Sequence, residues 1–357
     1  MPISDLPGPD LDEPDLNNTE RRKLLQWMGI VSLTLLLPTP IAALARNTET
    51  PFIDKASLVR KLAGQTGLKA SAIQSVLADA QFIPSIIERM NTPYESKPYA
   101  QYRPLFVTSE MEEMGRKYLQ EQQSVFSHTE GKYRVEGEVV AAILGLETRF
   151  GRHHGDDRIL DSLYTLASGY PRRADFFRRE LGEFLLLSRE EGLTPAAVLG
   201  SYAGAFGATQ FIPSSFRAYA VDEDGDGKRD VWHSVSDIIA SVANYFHRHG
   251  WKHHRPVAFW LPGLKKSYSK ALQKRASRGF NQWSPLHDLR LQLPELPDVW
   301  NNKDKVTLIE MQTADGDRLA LVHYNFYVIT RWNRSYNYAM ATTEVAAMLG
   351  CDTCRVA

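Results

Sequence analysis

Apolar residues recur at intervals of three and four positions over most of the chain between residues 46 and 255. This spacing is typical of amphipathic helices. Long segments with this spacing run from Glu110 to Gln123, from Glu136 to Thr148, from Ala174 to Glu191 and from Val235 to His249, and shorter ones run from Ala56 to Ala63 and from Ala70 to Ala80. Strands do not alternate with these helices, so the pattern gives no support to a dinucleotide-binding α/β fold.

The pattern changes after Trp251. The segment 256–262 is short and apolar, and 306–312 and 319–330 are rich in β-branched and aromatic residues, which predicts strands of a small sheet. Helical spacing returns from Tyr338 to Leu349 and should end at Gly350. We therefore predict an α+β protein that is predominantly α. An α-rich region spans 46–255, a small β-containing domain spans 256–330, and a C-terminal helix within 331–357 returns to the α-rich body.

Residues 1–45 are typical of an export signal with an acidic leader. Basic residues 21–23 precede an apolar run at 24–37, and a small-residue cleavage site follows at 43–45. The run is shorter than the roughly 20 residues that a membrane-spanning helix needs. A cleaved signal is therefore favoured over a signal anchor, and the general secretory and twin-arginine routes both stay open. We expect a periplasmic or cell-envelope protein.

Charge and cysteine content narrow the function classes. The 357 residues carry 42 basic and 42 acidic side chains, and this balance gives no basic footprint for nucleic acid. The only cysteines, Cys351 and Cys354, are too few for a typical four-ligand zinc site. A local disulfide and an incidental pair of thiols both fit this spacing.

Glu147 ends an apolar helical stripe. Val140 and Leu144 precede it by seven and three positions, on the same helix face. Burial disfavours the charged form of a carboxyl and raises its pKa, and an acid that stays protonated can protonate a glycosidic oxygen. Periodicity alone favours the alternative, a surface glutamate paired with Arg149 or Arg152.

Five sequence motifs, which follow one another along the chain, favour the catalytic interpretation of Glu147 over the surface pair. They are LETRFG at 146–151, YPRRA at 170–174, GSYAGAFG at 200–207, QFIPSS at 210–215, and VANYF with HGW at 242–251. Together they resemble the lytic murein transglycosylase B family, and the resemblance extends from about Tyr102 to Met340. It implies a lysozyme-like catalytic core in the α-rich body and a small β domain.

The resemblance also implies an activity. Such an enzyme cleaves the β-1,4 bond between N-acetylmuramic acid and N-acetylglucosamine in peptidoglycan, without water, and leaves a 1,6-anhydro end. Glu147 would act as acid and then as base, and an internal hydroxyl nucleophile makes a second carboxylate unnecessary. Two alternatives remain: a muramidase using Asp156, Asp157 or Asp161, and a non-catalytic peptidoglycan-binding protein. Glycan strands are the expected partner of a monomeric chain, with cell-wall synthesis or remodelling proteins as further candidates.

Several residues are implied to contact the substrate. They are Tyr102, Arg172, Arg173, Ser201, Gln210, Tyr245, Trp332, Asn333 and Tyr338. Trp332-Asn333 lies where the family usually carries Tyr-Asn, so the ring could stack on a sugar but a phenolic hydrogen bond is lost. Tyr245 also falls on an apolar helix face, which leaves a core position as the alternative. The glycines of 200–207 are expected to serve close packing.

The segment 222–228 carries the D-x-D-x-D-G opening of an EF-hand calcium loop. Its twelfth position is His233 rather than glutamate, which predicts weak binding. The resemblance implies that Asp237 closes a longer loop, with Asp230 as a competing ligand. The predicted ligands are Asp222, Asp224, Asp226, Lys228 through its carbonyl, and Asp237. We expect a structural Ca²⁺ and no organic cofactor.

Overall fold

The computed structural model describes residues 51–91 and 97–356, so the predicted export signal lies outside the described residues. The described residues form fourteen α-helices. In chain order these are α1 (Lys55–Thr66), α2 (Ala70–Ala78), α3 (Pro84–Asn91), α4 (Tyr99–Tyr102), α5 (Ser109–Glu121), α6 (Gln123–Tyr133), α7 (Gly137–Thr148), α8 (Ile159–Gly169), α9 (Ala174–Glu190), α10 (Pro213–Tyr219), α11 (Val235–Arg248), α12 (Lys270–Ala276), α13 (Tyr324–Trp332) and α14 (Tyr336–Leu349). The predominance of helix is confirmed.

Several helices begin and end at residues suited to that role. The side chains of Asp54, Thr108, Ser234 and Ser335 each accept a hydrogen bond from a backbone N–H three residues further on, at the starts of α1, α5, α11 and α14. Gly350 follows α14 with a φ of 118°, a conformation that favours glycine. The predicted end of this helix is confirmed.

Within residues 51–91 and 97–356, six short strands form two antiparallel sheets. In the first, β1 (Asp157–Arg158) pairs with β2 (Leu199–Gly200). The second has the order β3-β6-β5-β4, and its strands are β3 (Ala258–Trp260), β4 (Ser284–Pro285), β5 (Lys305–Thr313) and β6 (Gly316–His323). The hairpin of β5 and β6 pairs along its whole length. The small sheet predicted in the last third of the chain is thus confirmed.

The prediction of a strand from 319 to 330 is wrong after His323, because residues 324–332 form α13. The His323 side chain caps this helix by accepting a hydrogen bond from the Asn325 N–H. The Asn325 amide bonds both backbone groups of Lys252 and the carbonyl of Arg255. These contacts come from a distant segment, and they outweigh the strand preference of the local residues.

The larger sheet lies between two hydrophobic cores. Ile309 and Val322 face the large core that runs through the helices, while Leu308 and Leu321 face a smaller core formed with α12 and the segments near β4. Successive strand residues point to opposite faces, which explains the division. On the helical side, α14 packs against both α7 and α13. This arrangement brings residues from the last third of the chain to the end of α7.

The chain end joins the helical body to the sheet. Cys351 and Cys354 form a disulfide, which decides between the two alternatives that their spacing left open. Beyond α14, the carbonyl of Val356 accepts a hydrogen bond from the Trp260 N–H at 2.8 Å. Among the described residues, no helix combines the length and apolar character needed to cross a membrane.

Candidate active site

Glu147 lies in the last turn of α7 and is only 1% exposed. The apolar stripe that precedes it is buried as well, including Val140 and Leu144. The alternative of a surface pair does not hold, because Glu147 is buried and Arg149 bonds the Glu110 carboxylate at 3.1 Å. The predicted buried carboxyl group is confirmed.

Two side chains donate hydrogen bonds to the same oxygen of Glu147. The Trp332 indole Nε1 lies 2.8 Å from Oε1, and the Tyr338 hydroxyl lies 2.7 Å from it. Trp332 ends α13 and Tyr338 lies in the first turn of α14. Between them, Asn333 Oδ1 accepts from the Ser335 N–H at 3.1 Å, and Ser335 caps α14. This sharp turn aims both donors at one atom.

Trp332 rests on a cluster of aromatic rings. Its ring stacks on Phe246 at 5.7 Å and contacts Tyr245 and Phe211 at 4.8 Å and 5.1 Å. Tyr245 is buried, its hydroxyl donates to the Arg331 carbonyl, and burial raises its pKa well above the usual value. Tyr245 therefore packs against Trp332 within the hydrophobic core, which agrees with the alternative of a core position. The indole hydrogen bond to Glu147 is a role that the sequence analysis missed.

The turn after Glu147 holds an unusual backbone. Arg149, Phe150 and Gly151 have φ values of 49°, 60° and 79°, three consecutive residues in the left-handed region. The conformation costs about 1–2 kcal/mol at each non-glycine residue. Thr148 stabilises it, because its hydroxyl accepts from the Gly151 N–H at 2.9 Å and donates to the Ala208 carbonyl at 3.1 Å. This links the end of α7 to the glycine-rich loop at residues 200–210.

Ser201 and Gln210 lie within that loop. Ser201 exchanges two hydrogen bonds with Ala205, which closes a tight turn. The Gln210 amide nitrogen donates to the carbonyls of His154 and Gly207, at 3.1 Å and 2.9 Å. Its Oε1 is buried and has no hydrogen-bond partner among the described residues. Gln210 therefore offers an unused acceptor.

The glycines of this loop serve close packing, as expected. A Cβ atom at Gly200 would lie 2.1 Å from the Ala205 carbonyl oxygen. One at Gly207 would lie 2.7 Å from the carbonyl oxygen of Val231. Both distances are too short for any larger residue, so the loop can approach its neighbours only with glycine here.

For three other residues that were predicted to bind substrate, the structure shows local contacts. Tyr102 is buried, with its ring 5.1 Å from that of Phe106. Arg172 is exposed in the turn before α9, and the Arg173 guanidinium lies over the Phe176 ring at 4.2 Å. Their contacts with substrate stay predictions.

Three carboxylates of the acidic loop converge. Oxygen atoms of Asp222, Asp224 and Asp237 lie within 4.8 Å of one another. Asp237 is fully buried in the first turn of α11 and accepts from the N–H groups of Glu223 and Asp230, each at 2.8 Å. Burial, with Asp224 nearby, raises the pKa of Asp237. The loop is thus closed by Asp237, as the resemblance implied.

Two other residues named for this loop lie outside the cluster of three. Asp226 Oδ1 accepts a hydrogen bond from the Lys228 N–H at 2.8 Å. Asp230 accepts from the N–H groups of Trp232 and His233, at 2.8 Å and 2.9 Å. Asp230 therefore shapes the turn before α11.

Glu180 is another buried carboxyl group, and the sequence analysis missed it. It accepts a hydrogen bond of 2.9 Å from the Ser214 N–H at the start of α10, and burial raises its pKa to about 7. A usable signal existed, since Phe177, Phe184 and Leu187 lie three, four and seven positions from Glu180, which is the spacing that apolar residues also have relative to Glu147.

A side cavity of about 690 Å³ opens beside the turn that follows Glu147. Its lining includes Arg152, His154, Asp156, Lys228 and Trp232. It therefore adjoins both the turn after α7 and the acidic loop.

Comparison with known proteins identifies the family. The sequence model of the family described as "Transglycosylase SLT domain" matches residues 52–347. The chain belongs to this family. Its sequence is 34% identical over 303 residues to membrane-bound lytic murein transglycosylase B of Escherichia coli (strain K12), covering 80% of each chain.

Solved structures of lytic transglycosylases are also similar to this chain. Soluble lytic transglycosylase SltB1 from Pseudomonas aeruginosa is 37% identical with a TM-score of 0.73, covering 82% of this chain and 97% of that one. The Escherichia coli lytic transglycosylase Slt35 in complex with calcium is 30% identical with a TM-score of 0.73, covering 87% and 99%. The lysozyme-like fold that the motifs implied is confirmed.

Proposed function

We propose that the chain cleaves peptidoglycan as a lytic transglycosylase. It breaks the β-1,4 bond between N-acetylmuramic acid and N-acetylglucosamine and forms a 1,6-anhydro end on the muramyl sugar. The observation that carries this proposal is the buried Glu147, held at the end of α7 by two donors on one carboxyl oxygen.

The two donors favour proton transfer from Glu147. Because Trp332 and Tyr338 both donate to Oε1, we assign the transferable proton to Oε2. When this proton passes to the glycosidic oxygen, negative charge develops on the carboxyl group, and the two prearranged donors stabilise it. The buried setting strengthens both hydrogen bonds.

The same carboxylate then acts as base. As the bond between the muramyl C1 and the leaving oxygen breaks, the muramyl C6 hydroxyl attacks C1 and gives its proton to Glu147. One bond forms, one breaks, and Glu147 regains its proton. Holding the hydroxyl near C1 makes this step intramolecular, which supplies much of the rate.

The engagement of nearby carboxylates supports transglycosylation over hydrolysis. Asp157 forms two hydrogen bonds with Arg89, at 2.6 Å and 3.0 Å. Asp161 is buried and accepts from the Gln81 N–H at 2.9 Å. Asp156 is exposed at the side cavity. Two of the three candidates for activating a water are thus committed to structural contacts.

Substrate recognition involves the glycine-rich loop. The buried Oε1 of Gln210 would accept a hydrogen bond from the N–H of a substrate acetamido group. The packing of a sugar on Tyr102, and the contacts of Arg172 and Arg173 with sugar oxygens or the stem peptide, rest on the resemblance alone.

A calcium ion at the acidic loop would stabilise the fold. The all-oxygen donor set of Asp222, Asp224 and Asp237 fits the ligand preference of Ca²⁺, and the similar Slt35 has been solved in complex with calcium. The loop leads into α11, which carries Tyr245 and the ring of Phe246 on which Trp332 stacks. The ion would thereby stabilise the aromatic rings against which Trp332 packs, and it would take no part in the reaction.

The site of action follows from the substrate. Peptidoglycan glycan strands lie outside the cytoplasm, and the E. coli relative is membrane-bound by name. The signal-like residues 1–45 would direct the chain to the periplasm or envelope and then be cleaved.

Mass spectrometry of digested peptidoglycan tests the reaction. Transglycosylation yields muropeptides with anhydro ends, each lighter by one water than the product of hydrolysis. Glu147→Gln supplies the matched inactive control. Reducing ends would instead identify a muramidase, and release of no products by a folded protein would identify a binding protein.

A further inference from the structure

Three metal-binding side chains meet at the opposite end of α7 from Glu147. Glu136 directly precedes this helix, while His253 and His254 lie in the loop after α11. One potential ligand atom from each lies within 4.8 Å of the other two. We propose that Glu136, His253 and His254 bind a divalent transition-metal ion of the Zn²⁺ type.

A buried nitrogen without a partner points to such a ligand. The His253 side chain is 9% exposed, and its Nδ1 has no hydrogen-bond partner among the described residues. The His253 and His254 rings lie only 3.6 Å apart between centroids. Buried polar atoms are nearly always satisfied, and a coordinated ion would satisfy this one.

A carboxylate contacts the other ring nitrogen of His253. Nε2 lies 3.0 Å from Oε1 of Glu130, whose Oε2 accepts from the Gly137 N–H at 3.1 Å. A proton on Nε2 donated to this carboxylate leaves the lone pair on Nδ1. Carboxylates commonly orient metal-binding histidines in this way.

Glu136 is held firmly in position. Its Oε2 accepts from the Trp251 indole at 2.6 Å, and its Oε1 accepts from the His254 N–H at 2.7 Å. Each oxygen keeps a second lone pair. Ligands of one zinc ion lie about 3.4 Å apart at bond lengths of about 2.1 Å. His254 Nδ1 is 3.9 Å from Glu136 Oε1, and its side chain is 67% exposed, so a small ring rotation completes the set.

The donor types select the class of ion. Two imidazole nitrogens and one carboxylate suit zinc, nickel or copper, whereas calcium prefers oxygen alone. This distinguishes the site from the acidic loop. A bound ion would tie the loop that leads to β3 onto the start of α7. The proposal does not depend on the enzymatic activity.

Zinc titration of the full chain, prepared without a polyhistidine tag and with calcium present, tests the site. His254→Asn removes one ligand, and asparagine tolerates the φ of 57° at this position. We expect this variant to bind zinc at least about tenfold more weakly, and Glu130→Gln to bind it about 10–100-fold more weakly. The matched control is His287→Asn, which alters an exposed histidine beside Asp288.

Melting temperatures provide a second readout. Zinc should raise the melting temperature of the wild type and the control, with a smaller rise or none for His254→Asn. Equal melting without metal would show that the variants fold. If calorimetry detects no zinc binding to the wild type, or the same affinity for His254→Asn, the proposal is overturned.

Discussion

The hydroxyl of Tyr338 donates a 2.7 Å hydrogen bond to Oε1 of Glu147, across 191 residues of sequence. The indole of Trp332 donates to the same oxygen. Since both donors sit on packed helices, the carboxyl group is held in one orientation before any substrate arrives.

Glu147→Gln removes the transferable proton and keeps the side-chain shape. Its amide oxygen can still accept from Trp332 and Tyr338, so the melting temperature should change little. We expect the rate of muropeptide release to fall by at least about a hundredfold. Turnover close to that of the wild type would refute the assignment of Glu147 as the acid.

Tyr338→Phe removes one donor to Glu147. The lost hydrogen bond matters most when the carboxylate is charged, so kcat should fall about tenfold with little change in KM. Tyr336→Phe is the matched control, because the ring of Tyr336 packs on Phe280 at 5.0 Å.

Combining Trp332→Phe with Tyr338→Phe should lower kcat by a factor that differs from the product of the two single losses, since both donors bond one oxygen. Full activity of Tyr338→Phe would show that the hydrogen bond has no catalytic role.

Asp224→Asn should abolish stabilisation by calcium. With a dissociation constant of ~0.1–1 mM, calcium at about 10 mM would stabilise the wild type by about 1.4–2.7 kcal/mol. Thermal melting with calcium and with chelator measures this difference, and Asp315→Asn in the β5–β6 turn is the control. Chelation that stopped activity without altering melting would contradict a structural role.

Glu180 should make stability depend on pH. Burial raises its pKa from 4.5 to about 7, so between these values the folded state binds an additional proton. The free energy of unfolding due to this group therefore falls as pH rises from 4.5 to about 7, by on the order of 3 kcal/mol.

Glu180→Gln keeps an acceptor for the Ser214 N–H and should flatten this dependence. Urea unfolding of both proteins at about pH 5 and about pH 7.5 gives the comparison. Identical pH profiles would contradict the raised pKa.

Export should leave Arg46 as the first residue, after cleavage behind Ala45. Edman sequencing of protein recovered from the envelope fraction measures this directly. An intact N-terminus at Met1 or Pro2 would instead indicate a signal anchor.

The local sequence pattern predicted most of the long helices, because their apolar residues recur every three or four positions within one segment. It failed at residues 324–330, where β-branched side chains suggested a strand. The helix there depends on Asn325 bonding Lys252 and Arg255, and no local pattern encodes contacts over such distances.

The same limit applies to the active site. Helical spacing marks Glu147 as buried, but it marks Glu180 equally, and Glu180 caps the start of α10. Spacing alone therefore cannot tell an acid from a structural carboxyl group. The family motifs are what favour Glu147 as the proposed acid. Asp237, which closes the acidic loop from the following helix, was likewise found through the resemblance.

The separation of Glu147 from its donors has a consequence for biosynthesis. Trp332 and Tyr338 follow it by 185 and 191 residues, so a nascent chain carries the proposed acid long before it carries the groups that position it. The helices α13 and α14 are the last two helices in chain order and are synthesised last. A partly translated or truncated chain that lacks α13 and α14 therefore has no assembled catalytic centre. The protein can cleave peptidoglycan only after these two helices have folded against α7.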